Sequence, residues 1–73
     1  MTNKQLLRLK AVLPLVGLKR SAIYARVLDG RFPSPIHVGR AAVWTDAEIA
    51  EWVEYISRHR HEPPVGTYSK GAA

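Results

Sequence analysis

The chain of 73 residues has no cysteine, one methionine, one phenylalanine and only six acidic residues. Without cysteine, neither a disulfide framework nor a thiolate zinc site can hold it together. No stretch approaches the roughly 18 apolar residues of a membrane span. Met1-Thr2-Asn3-Lys4-Gln5 lacks the apolar run of a secretory signal, so the expected location is cytoplasmic. There is no nucleophile–base–orienter set, no phosphate-cradling glycine loop and no carboxylate pair suited to acid–base work. An enzyme is therefore not expected, nor is a cofactor. His59-Arg60-His61, with only Glu62 beside it, is too small a ligand set for a metal.

What is present is enough for one small domain. Domains of this length bury only about 60% of the surface their unfolded chain exposes. All stability must come from one apolar core, and 47% hydrophobic residues suffice for three helices and a hairpin. The net charge of +5 is unevenly spread. Up to Arg40 there are eight basic residues and one acidic, Asp29; from Ala41 onward there are three basic and five acidic. A basic half of that kind fits a surface that faces phosphates.

Leu6-Leu7-Arg8-Leu9 reads as a brief strand. A first helix follows over roughly Lys10 to Val16; Pro14 suits it if the helix begins near Ala11, where first-turn N–H groups lack partners anyway. Gly17 closes it with a left-handed residue. The second helix runs from about Arg20 to Asp29 and ends at Gly30, and Lys19 sits where Ser, Thr, Asp or Asn would cap best. Ile23, Val27 and Leu28 form its buried stripe, with Ser21, Ala22, Ala25, Arg26 and Asp29 opposite. Two short helices joined by a glycine-containing turn have helix-turn-helix geometry, which makes the second a candidate for the DNA major groove.

Arg31-Phe32-Pro33-Ser34-Pro35 forms an extended link. Two strands, Ile36 to Val38 and Ala42 to Trp44, are separated by Gly39-Arg40-Ala41; that spacing puts His37 and Val43 together on one face. With Arg40 at its tip the hairpin has the shape of a wing. Thr45-Asp46-Ala47-Glu48 is a capping box, and Ile49, Trp52, Val53 and Ile56 give the third helix its core stripe. The expected fold is mainly α with a two-stranded wing, a winged helix-turn-helix over 1–60, and residues 61–73 are expected as a flexible tail.

Taken in order, Leu9-Lys10-Ala11-Val12-Leu13, Gly17-Leu18-Lys19-Arg20-Ser21, Ile23-Tyr24, Asp29-Gly30-Arg31-Phe32-Pro33, Pro35, Gly39-Arg40 and Val43-Trp44 before the capped acidic helix resemble the AlpA family. These are small prophage-type regulators similar to excisionases and to the DNA-binding half of MerR-type proteins. The resemblance implies a winged helix-turn-helix that binds double-stranded prophage or mobile-element DNA, as a transcription regulator or as an excisionase, the directionality factor of an integrase. It maps the groove helix onto Arg20 to Asp29 and the wing onto His37 to Arg40. This chain departs from the family pattern at Lys19, where serine is frequent, and at Ala22 and Ala25, where polar residues are. Those alanines can still meet a thymine methyl.

The candidate DNA contacts are Lys19, Arg20, Ser21, Ala22, Tyr24, Ala25, Arg26, Arg31, His37 and Arg40. Arg20 and Arg26 suit phosphate or a guanine edge, Lys19 phosphate, and Arg40 the minor groove or its phosphates. Ser21 can donate to a phosphate or complete the helix cap, and Tyr24 can pack while its hydroxyl meets the DNA backbone. Trp44 and Trp52 belong to the core. The competing expectation is a protein-interaction module that binds an integrase or a host regulator. A monomer in solution is expected, because the third helix has one apolar stripe, needed for its own core, and no long helix follows.

Overall fold

The computed structural model describes residues 4–68. Strand β1 (Leu6–Arg8) leads directly into helix α1 (Leu9–Val16); α2 (Arg20–Asp29), β2 (Ile36–Val38), β3 (Ala41–Thr45) and α3 (Asp46–His59) follow. Three helices and a small antiparallel sheet make a winged-helix-like domain. The wing differs from the expected two strands. The sheet has three, in the order β1-β3-β2, because Leu6, Leu7 and Arg8 pair with Thr45, Trp44 and Val43. Among the described residues no helix is long and apolar enough to cross a membrane.

The hairpin register also differs. Val38 pairs with Ala41, so the turn is Gly39-Arg40 alone, and Gly39 at φ 61° fits the glycine-first pattern of a type II′ turn. Shortening the loop by one residue moves each side chain of one strand to the other face relative to its partner. His37 therefore lies opposite Ala42, while Val43 pairs with Ile36.

Helix α1 starts at Leu9, earlier than Pro14 suggests. Proline is its sixth residue, and the bond it cannot make would have gone to the carbonyl of Lys10. Lys10 is exposed, so water can take that bond. Neither α1 nor α2 has a side-chain cap, and left-handed Gly17 and Gly30 end them. Helix α3 carries the full capping box: Glu48 N–H donates to Thr45 Oγ1 and Thr45 N–H donates to Glu48 Oε1, both at 3.1 Å.

Val12, Ile23, Phe32, Trp44, Ile49 and Trp52 form the core. Phe32 sits edge-on to both indoles, with ring centroids 6.0 Å from Trp44 and 5.1 Å from Trp52. Each indole N–H donates to the link between α2 and β2, Trp44 to the Pro33 carbonyl at 2.7 Å and Trp52 to that of Arg31 at 2.8 Å. Buried tryptophans need such partners. Here those partners fasten the wing to the helices. Leu28 was expected in the buried stripe of α2, but it is 88% exposed.

Residues 61–68 are not a free tail. Pro63 is fully buried, Tyr68 packs against the core, Gly66 N–H donates to the Asp29 carbonyl at 2.9 Å, and Tyr68 N–H donates to that of Gly30 at 2.7 Å. Gly30 has φ 75°, and a Cβ there would lie 2.8 Å from Gly66 Cα. The segment is a strap across the end of α2. Its prolines hid this in the sequence, since they hold an extended chain without helical or strand periodicity. The part of the expected tail beyond Tyr68 lies outside the described residues.

Candidate nucleic-acid interface

Strand β1 covers only the Val43–Thr45 half of β3 before the chain turns into α1. The Ala41–Ala42 edge is left without a strand on that side, and the first turns of α2 stand near it. Between them opens a groove of about 850 Å³, lined by Arg8 and Lys10 at the β1–α1 junction, Arg20 and Tyr24 on α2, and Arg40 and Ala42 on the wing. Arg20 and Tyr24 share one flank of α2 because they are four residues apart. Lys19, exposed at the N-cap of α2, precedes Arg20 in the chain and does not line the groove.

The charge of this groove is uncompensated. Among the described residues, the ion pairs join Arg26 and Arg31 to Glu62, Arg31 to Asp29, and Arg58 to Glu54. None uses Arg8, Lys10, Lys19, Arg20 or Arg40, and no carboxylate lines the groove. The acidic residues lie elsewhere. Asp46 accepts from Gln5 N–H at 3.2 Å, Glu48 closes the capping box, and Glu51 stands on the exposed side of α3. Charges of one sign along an open groove focus the field there.

Not all the candidate contacts converge. Arg20, Tyr24 and Arg40 line the groove, and Lys19 does not. Ser21 and Ala25 are exposed on α2, and Ser21 supplies no cap. Ala22 is half-buried, with its carbonyl accepting from Arg26 Nη1 at 3.0 Å. His37 is exposed on β2 but does not line the groove.

Arg26 and Arg31 lie outside the groove, in ion pairs. Arg26 forms a two-pronged pair with Glu62, Nε to Oε1 at 2.8 Å and Nη2 to Oε2 at 3.0 Å. Arg31 Nη2 holds Asp29 at 2.6 Å and Nη1 lies 3.5 Å from Glu62, while its buried Nε has no partner. A forked guanidinium–carboxylate pair is geometrically specific and occupies the donors a phosphate would need. Both arginines serve the strap, and Glu62 was invisible as their partner because it lies 36 residues from Arg26. Arg8 and Lys10 are additions. Alternation around Leu7 and Leu9 put both on the outward side, which was the available signal.

The sequence family described as prophage CP4-57 regulatory protein (AlpA) matches residues 5–57, the stretch from just before β1 to near the end of α3. The chain belongs to the AlpA family. A relative in Enterobacteria phage P4, named uncharacterized protein ORF88, is 34% identical over 53 residues, which make up 71% of this chain and 60% of that protein's length. No solved structure matches. The match ends before the strap, so the AlpA segment holds the whole groove but not Glu62.

Proposed function

We propose that this AlpA-family protein binds double-stranded DNA as a regulator of prophage or mobile-element genes. Helix α2 enters the major groove while Arg40 on the wing reaches the neighbouring minor groove or its phosphates. The observation that carries this reading is the convergence of Arg8, Lys10, Arg20 and Arg40 on one open groove with no carboxylate in its lining. Cations of that kind release counterions when they meet phosphates, and this drives most non-specific affinity. Family membership supports a prophage-regulatory role. An excisionase is the form of the same activity in which the bound protein directs an integrase, and an added integrase with its attachment sites would distinguish it from a transcription regulator.

Arg20 stands on the flank of α2 at its first residue, so it serves as a phosphate contact. Arg20→Ala is expected to weaken binding to a selected duplex and to a scrambled one by the same factor. A loss confined to the selected duplex would make Arg20 a base reader instead. No duplex binding at low salt would refute the proposal.

One observation favours protein binding as a second reading. A cleft of about 310 Å³ between α1 and α3 is lined by Leu7, Leu15, Ile49, Ala50 and Val53, with Asp46 and Glu54 also in its lining. Its occupant would be an apolar segment of an integrase carrying a basic residue. Capture of integrase that survives nuclease treatment and Arg20→Ala, but not Leu15→Glu, would establish it.

A further inference from the structure

Leu28 is 88% exposed, more than any other large apolar side chain among the described residues. It lies on α2, which buries Ile23 and half-buries Val27 on one side. At 100° per residue, Ser21, Ala25 and Leu28 (i, i+4, i+7) run along the opposite side, and all three are exposed. One flank of this ridge carries Arg20 and Tyr24 above the groove. The other carries half-buried Ala22 and Arg26, with Arg26 held by Glu62. Beyond Ser21 the middle of the helix therefore presents methyl groups, between the free cations on one flank and an occupied arginine on the other.

The one apolar feature of base edges in the major groove is the C5-methyl group of a pyrimidine. A ridge of Ala25 and Leu28 has no donor or acceptor for the polar edges, but it can bury such a methyl, and the free cations on its groove flank complement the phosphates beside it. We infer that this ridge reads pyrimidine C5-methyl groups, those of thymine or 5-methylcytosine, and that Leu28 is its specificity-determining residue. The inference rests on α2 being the helix that enters the major groove.

The test is a duplex selected from a randomised pool by the full chain at low salt, then remade with deoxyuridine for every thymidine and, separately, with 5-methyldeoxycytidine for every deoxycytidine. Each buried methyl lost is expected to weaken binding about four-fold, from about 0.8 kcal/mol per buried carbon. Weaker binding of the uracil duplex places the contact on thymine. Unchanged binding of it with tighter binding of the methylated duplex places the contact on 5-methylcytosine. In either case Leu28→Ala should bind the original and altered duplexes equally and melt at the wild-type temperature, since the exposed Leu28 side chain contributes little to the core. Equal binding of all three duplexes by the wild type overturns the inference and leaves DNA binding intact. Failure to select any duplex overturns the DNA reading, and the inference falls with it.

Discussion

Residue type alone did not separate the arginines of this chain; their partners did. Arg20 and Arg40 line the groove without a carboxylate, whereas Arg26, 21% exposed, is forked onto Glu62. Arg26→Ala should therefore act on stability rather than on binding. The hydrogen bonds it removes are charged but partly solvated, so a loss of about 1–2 kcal/mol is expected in denaturant melts. Affinity for a selected duplex, measured well below the melting temperature, should stay at the wild-type value. Wild-type stability with weakened affinity would return Arg26 to the interface. The exposed positions of Arg20 and Arg40 in the groove lining were legible because a helix entry and a hairpin tip are defined by neighbouring residues. Arg26 and Arg31 were not, because their fate depends on a glutamate brought back from beyond α3.

At the scale of elements, α3 was the most legible part. Its capping box and apolar stripe lie within one turn or two, and such local signals need no knowledge of the rest of the chain. The sheet was less so. β1 has three residues, and nothing local shows that its partner is β3, nearly forty residues away. The hairpin existed in the sequence as a glycine between apolar pairs, but its register depended on whether the turn held two residues or three. One terminus carries strain: Arg60, which ends α3, has φ 63°, a left-handed value that costs a non-glycine residue about 1–2 kcal/mol. Arg60→Gly relieves it at the cost of a floppier unfolded chain. The expected net result is a gain of up to about 1 kcal/mol, measured as a higher denaturant midpoint with an unchanged slope. A lower midpoint would mean that the Arg60 side chain supports the strap.

For the whole molecule, the strap closes a fold that its helices and sheet leave open at Gly30. Tyr68 anchors the end of the described chain, and its hydroxyl is pushed above the ordinary tyrosine value, first by burial and then by Glu51, Tyr55 and Glu48. A raised value means that the folded chain holds its proton where the unfolded chain has begun to lose it. Stability from this group is complete below about pH 10 and falls as pH rises through the folded value. Thermal melts across that range should show wild type losing stability faster than Tyr68→Phe; parallel curves would mean that Tyr68 is not packed as described. The strap and the wing together hold α2 with its cationic flank open. If that flank docks on DNA, the salt dependence of duplex binding must register each groove cation. The most direct measurement compares the slope of log affinity against log salt for the wild type and for Lys10→Ala/Arg20→Ala/Arg40→Ala. Three lost phosphate contacts, at about 0.9 each, should flatten the slope by about 2.7. An unchanged slope would contradict the groove as the DNA-binding surface.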